Sequence, residues 1–221
     1  MKRLATLLLA VTSFGAASAQ TAGNPASNDP EAKKILDAVS NKFRTFQTPS
    51  ANFTYRIENA QGKSLSSKKG TVVMKGQRYH VTIPGMELWS DGKLNWSFDK
   101  SANEVTIKDV DGATGEITPQ KLFTNFYDRD FLYKLNGVKR EGKRNLAEIE
   151  LTPTNKTRPY HKVYLLIDRT TNVFYSARIL NKDGNRYSYT INNFRPNSGA
   201  TDAEFVFNKA KYPGVEVVDL R

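Results

Sequence analysis

The chain carries two histidines, His80 and His161, and no cysteine. Each histidine sits in an alternating, strand-like run with no acid or second imidazole at ligand spacing, so both are read as structural or surface residues. Asp91, Asp111 and Asp183 each precede a glycine, and a turn's side-chain to backbone hydrogen bond accounts for a carboxylate there. The sequence contains no Gly-x-Ser-x-Gly elbow, no His-Glu-x-x-His pair and no phosphate-binding loop. Nothing positive points to an enzyme, a metal or a cofactor. What remains able to act is apolar surface. Aromatic residues make up 11% of the chain, and tyrosine and phenylalanine dominate its strand-like positions. The chemistry open to them is burial, in an ordinary core or around an apolar guest.

In Met86 to Phe98 two alternating apolar runs, with two tryptophans and a phenylalanine, meet at Asp91-Gly92. Asp-Gly between alternating runs predicts a hairpin with a type I′ turn, both residues at positive φ. The period of two then sets Leu94, Trp96 and Phe98 on one face. That face must either bury against a core or line a hollow.

These residues need elements to hold them. Asp29, Pro30 and Glu31 read as the cap, first position and first turn of a helix. Ile35, Leu36, Val39, Phe43 and Phe46 follow at helical spacing, and Pro49 closes the segment. Strands are predicted at Phe53, Tyr55 and Ile57, at Thr71 to Met74, and at Tyr79, Val81 and Ile83 before Pro84-Gly85. The Asp91-Gly92 hairpin and a strand with Val105 and Ile107 come next. Thr118, Pro119, Leu122, Phe123 and Phe126 predict a second helix, too short to be stable alone. Further strands are Phe131 to Leu135, ending at Asn136-Gly137, Leu146 to Leu151, Val163 to Asp168, Phe174 to Leu180, and Tyr187 to Ile191. Phe205, Phe207, Val215, Val217 and Leu220 supply closing segments. About ten or eleven short antiparallel strands predict one large curved sheet, closed or nearly closed. Short helices fill the inner face of such a sheet poorly, which leaves room for a hollow with apolar walls.

At 221 residues the chain fits one domain. Lys2 and Arg3, the apolar run Leu4 to Val11, and Ala17-Ser18-Ala19 before Gln20 have the pattern of a secretory signal. The expected organisation is a signal peptide over 1–19, a flexible leader over 20–29 and a β domain over 30–221. The run Leu4 to Val11 is too short to span a bilayer. Without cysteine an exported domain is held by burial and sheet hydrogen bonds alone, and it lacks the N-terminal cysteine of a lipid anchor. Removing Lys2 and Arg3 takes 33 basic residues to 31 against 22 acidic, a mature charge of +9. A solvated, self-repelling surface explains that excess, and no nucleic-acid recognition motif accompanies it.

The order of these features resembles the periplasmic outer-membrane lipoprotein carrier family (LolA-like). The likeness is carried by the amphipathic helix Pro30 to Phe46, by Trp89-Ser90-Asp91-Gly92-Lys93-Leu94-Asn95-Trp96, and by Thr118-Pro119. Leu151-Thr152-Pro153, Val163 to Asp168, Phe205-Val206-Phe207, and Pro213-Gly214-Val215-Glu216-Val217-Val218-Asp219 complete it. The resemblance implies a single incomplete, half-open antiparallel β-barrel whose mouth is covered by short lid helices over an apolar cavity. It implies a soluble, monomeric carrier whose cavity holds the acyl chains of lipoproteins, taken from an inner-membrane release transporter and delivered to an outer-membrane receptor. The expected cavity and lid residues are Leu36 and Phe43 on the first helix, Phe53, Tyr55, Ile57, Val81, Ile83, Leu94, Trp96 and Phe98 on strands, and Leu122, Phe123 and Phe126 on the second helix. Family members commonly carry an arginine followed by proline after the strand matching Thr71 to Met74, thought to latch the lid to backbone carbonyls. Here the segment reads Lys75-Gly76-Gln77-Arg78, leaving Lys75 and Arg78 as candidates, and a lysine cannot reproduce the planar donor fork of arginine. The +9 surface keeps a second reading open, a secreted recognition module of the same fold that binds a non-acylated protein without lipid.

Overall fold

The chain is described from a computed structural model covering residues 28–110 and 127–221. The predicted signal, most of the leader, the Asp111 to Gly115 turn and the helix at Thr118 to Phe126 lie outside the described residues.

Helix α1 spans Pro30–Arg44, two residues short of the Phe46 to which its apolar spacing runs. Asp29 caps it, accepting from Glu31 N–H at 2.9 Å and Ala32 N–H at 3.3 Å. Ala32, Ile35, Leu36 and Val39 are buried as one stripe. Among the described residues eleven strands follow, in two antiparallel meanders, β1–β6 and β7–β11, joined by pairing of β1 with β11: β1 Ser50–Glu58, β2 Ser64–Lys75, β3 Arg78–Ile83, β4 Met86–Ser90, β5 Leu94–Asp99, β6 Glu104–Asp109, β7 Phe131–Glu141, β8 Arg144–Pro153, β9 Tyr160–Asp168, β10 Val173–Asn181 and β11 Arg186–Arg195. A one-turn helix α2, Tyr127–Asp130, precedes β7, and β12, Glu216–Asp219, ends the chain. The sheet runs β12-β6-β5-β4-β3-β2-β1-β11-β10-β9-β8-β7. Its two edge strands, β12 and β7, do not pair with each other, so the barrel is half-open as expected, with twelve strands among the described residues.

Three local expectations are corrected. Asp91 does not adopt positive φ; among the described residues only Asn103 and Asn172 do so without being glycine. Its carboxylate instead accepts from Lys93 N–H and Leu94 N–H, both at 2.8 Å, leaving Gly92 alone at φ +92°. Asn136-Gly137 does not end a strand. The register of β7 with β8 slips between Leu135 and Gly137, Gly137 takes φ +134°, and β7 continues to Glu141. The extra residue is absorbed as a bulge because pairing resumes on the far side. The closing segments are also not all antiparallel strands. Phe205 ends a single 3-10 turn, Asp202–Phe205, and β12 pairs parallel to β6.

Burial divides the apolar residues into two clusters on opposite faces of the sheet. The larger joins the α1 stripe to Phe53, Val72, Val81, Ile149, Leu165 and their neighbours, and defines the inner face. The smaller holds Trp89, Trp96, Phe98, Val105 and Val215, with Leu94, Phe207 and Tyr212 packed against it. Polar contacts tie α1 and α2 to the inner end of β7. Lys33 Nζ bonds Asp128 at 2.9 Å, Tyr127 donates to Asp37 at 2.6 Å, and Tyr133 donates to Asp128 at 2.8 Å.

Candidate functional site

The inner face is uneven. Leu36 is buried in the larger cluster and Phe43 is packed against it, so α1 forms part of its filling; among element pairs, α1 meets β7 and β10. Toward β1–β4 the wall instead surrounds a cavity of about 600 Å³. Phe53 and Tyr55 line it from β1, Val72 from β2, Val81 and Ile83 from β3, Leu88 from β4, Phe174 from β10, and Tyr189 and Ile191 from β11. The volume falls within the ordinary range for a small-molecule site, roughly 300–1,000 Å³. Lys68, Asp99 and Ser101 contribute polar rim, and Lys68 Nζ is steered across it by donating to Pro84 O at 3.1 Å.

Alternation explains why these side chains converge. Tyr55 stands opposite both Lys68 and Tyr189, and Val81 opposite both Val72 and Leu88, and directly paired residues share a face. Gly70 is required on the way. A Cβ there would lie 2.6 Å from Ile83 Cγ2 and 2.7 Å from both Phe53 Cζ and Thr82 O, so only glycine lets the Phe53 ring and Ile83 close over β2.

Of the strand residues expected around the cavity, Phe53, Tyr55, Val81 and Ile83 meet there, and Ile57 lies two residues beyond Tyr55 on the same side, half-buried. Leu94, Trp96 and Phe98 do not. Trp96 pairs with Trp89, whose neighbour Leu88 points inward, so the hairpin's aromatic face is the outer one. It buries against the C-terminal segment: Phe98 lies 4.6 Å from Tyr212 and Trp89 lies 5.4 Å from Phe207, centroid to centroid. The hairpin is core, and the period of two could say which residues share a face but not which face is inner. Leu122, Phe123 and Phe126 lie outside the described residues. Lys75 and Arg78 face each other at the β2–β3 turn, and among the described residues both engage Asp202, at 2.7 and 2.8 Å. They fasten the C-terminal segment to the wall, and they hold the Asp202 carboxyl below its ordinary range, Lys75 first and Arg78 second.

Two cavity-lining residues, Tyr189 and Ile191, were not among the expected ones, although their alternation with Tyr187 is legible as a strand. Tyr55 stacks on Tyr189 at 5.0 Å and on Tyr187 at 6.2 Å. Burial, with Tyr187 nearby, pushes the Tyr55 hydroxyl up to about 12, and burial raises Tyr189 further. His80 stacks on Trp89 at 4.8 Å and meets Glu87 at 3.1 Å across the β3–β4 pair, a cross-strand acid that spacing along the chain did not reveal. This pair sits on the outer face, away from the cavity. A second hollow, of about 770 Å³, has mixed walls, with Asn52, Thr54, Lys69 and Lys100 beside Phe53, Ile83, Met86 and Phe98. The polar share of those walls lowers what burial of an apolar guest returns there.

A family model described as outer membrane lipoprotein carrier protein LolA matches residues 44–208. A relative named outer-membrane lipoprotein carrier protein from Pectobacterium carotovorum subsp. carotovorum (strain PC1) is 29% identical over 196 residues, covering 86% of this chain and 89% of that one. Another of that name, from Edwardsiella ictaluri (strain 93-146), is 28% identical over 227 aligned positions, covering 100% and 99%. The crystal structure of an uncharacterised conserved protein from Thermus thermophilus superposes with a TM-score of 0.59 at 13% identity, covering 86% of this chain and 99% of that one, a likeness of fold alone. The half-open barrel with an apolar inner cavity, matched over most of its length by that family model, belongs to the outer membrane lipoprotein carrier family.

Proposed function

We propose that the protein is a periplasmic carrier that takes the acyl chains of lipoproteins into the inner-face cavity and shuttles them from an inner-membrane release transporter to an outer-membrane receptor. The observation that carries the reading is the apolar cavity of about 600 Å³ between β1–β4 and β10–β11, in a chain of this family. Each buried CH₂ contributes about 0.8 kcal/mol, so one long acyl chain gives on the order of 10 kcal/mol before ordering costs are subtracted. That gross gain supports binding that is firm yet reversible. The role needs no catalytic group, and the signal pattern over 1–19, with cleavage near Ala19/Gln20, supports export. A lid built on Leu122, Phe123 and Phe126 belongs to the same proposal, and Phe126→Ala is expected to speed exchange of a bound acyl probe.

The test is native mass spectrometry of the mature protein purified from a periplasm, followed by pull-down. Copurifying acylated proteins, lost when N-terminal acylation is blocked, are expected. A single non-acylated partner, with no lipid bound under any condition, would overturn the proposal in favour of a protein-recognition module.

A further inference from the structure

We infer that one end of the cavity is a donor cluster for the acyl carbonyl, so that the site selects a chain bearing a carboxyl, ester or amide head over a bare hydrocarbon. The inference rests on the carrier reading and deepens it. Tyr55 and Tyr189 both line the cavity and stand directly opposite each other on β1 and β11, their rings 5.0 Å apart. Lys68 stands opposite Tyr55 on the other side and lines the same cavity. Phe53, Val72, Val81 and Ile191 supply apolar wall beside them, and Asp99 and Ser101 share the polar rim with Lys68. The cavity is therefore amphipathic: apolar wall on one side, and on the other two phenols and the Lys68 ammonium, which donates to Pro84 O, beside the rim groups Asp99 and Ser101.

Among the described residues neither phenol hydroxyl is engaged by another group. Among the described residues the Tyr55 and Tyr189 hydroxyls have no hydrogen-bond partner, although other buried tyrosines, such as Tyr127 and Tyr133, donate to carboxylates. No buried side-chain oxygen or nitrogen among the described residues is left unsatisfied, so these two hydroxyls reach accessible space, and both residues line the cavity. An O–H in such partly desolvated surroundings gains from a carbonyl acceptor brought in by a guest, and a guest without one leaves it unpaired. Two phenols and one ammonium fit the carbonyl at the head of an acyl chain. They do not favour hydrocarbon as such.

The experiment compares three probes on the mature protein by fluorescence titration: a pyrene-labelled dodecanoic acid, its methyl ester, and pyrenyl-dodecane, which lacks the carbonyl. The parent is expected to bind the acid and the ester about tenfold more tightly than the hydrocarbon, the scale of one or two net hydrogen bonds. Tyr55→Phe combined with Tyr189→Phe keeps the ring stack and should bring all three affinities to within about twofold, with the hydrocarbon unchanged. Tyr187→Phe, at a ring outside the cavity lining, should preserve the discrimination. Lys68→Met separates the sources of the carbonyl: loss for the acid alone assigns a free fatty carboxylate, and equal loss for acid and ester assigns a linked acyl carbonyl. Equal binding of all three probes by the parent overturns the inference and leaves the carrier reading standing. Failure of every probe to bind overturns both.

Discussion

Asp29 Oδ2 accepts the backbone N–H of Leu135 at 3.0 Å while its Oδ1 caps α1. Asn28 accepts from Tyr133 N–H at 3.1 Å, and Asp29 N–H donates to Tyr133 O at 3.1 Å. One short segment thus starts the helix and pairs the outer side of β7, an edge strand whose backbone groups would otherwise be free. Asp29→Ala is expected to cost roughly 1 to 2 kcal/mol in denaturant unfolding, the cost of a lost cap. Hydrogen exchange at Leu135 should accelerate with it.

The same carboxyl predicts a pH dependence. Its folded value lies below the ordinary 3.8, chiefly because of the Leu135 N–H, with the cap N–H groups adding to it. A lowered folded value means that the unfolded chain binds the proton more readily. The contribution is therefore complete above the unfolded value and is lost as pH falls through the folded one. Melting curves between about pH 5 and pH 2.5 should fall more steeply for the parent than for Asp29→Asn.

Gly70→Ala places a Cβ 2.7 Å from Thr82 O, a backbone atom that cannot swing aside. The strands must part, at a cost of roughly 1 to 3 kcal/mol. Acyl-probe affinity should change as well, because the same Cβ meets Phe53 and Ile83 on the cavity wall.

The two apolar faces should separate by mutation. Trp96→Ala strips the outer cluster beneath Phe207 and Tyr212 and should destabilise the fold by about 3 to 5 kcal/mol with little change in acyl-probe affinity. Val81→Phe adds volume where the cavity has room and should weaken the probe about tenfold with a smaller loss of stability. The opposite pattern would place the guest on the hairpin face.

Asp202→Asn removes the charge that gathers Lys75 and Arg78. All three side chains are substantially exposed, so the melting temperature should move little, and the difference should shrink further in high salt. The visible effect should be faster amide exchange from Asp202 to Tyr212, read by mass spectrometry.

The elements were legible in the sequence wherever local physics sets them. Asp29-Pro30-Glu31 start a helix by capping and fixed φ, and Leu36 and Val39 continue it by a period that only one face can bury. Tyr79, Val81 and Ile83 alternate because one side of β3 is wet, and Pro84-Gly85 ends that strand because of its backbone limits. Turn chemistry was less decisive: Asn136-Gly137 carries the same hairpin signal as Asp183-Gly184, yet β8 pairs across it and turns it into a bulge. Local pattern thus carries the kind of fold, the hairpin pairings within β1–β6 and β7–β11, and the sets of side chains that share a face. Which face is inner is set by packing between segments far apart in the chain. Alternation is symmetric between the two sides of a sheet, and the symmetry is broken by contacts distant in sequence: α1 lying on β7 and β10, and Phe207 and Tyr212 covering Trp89 and Phe98. Those contacts sent Trp96 to the core and left Tyr55 and Tyr189, more than 130 residues apart in sequence, side by side at the cavity.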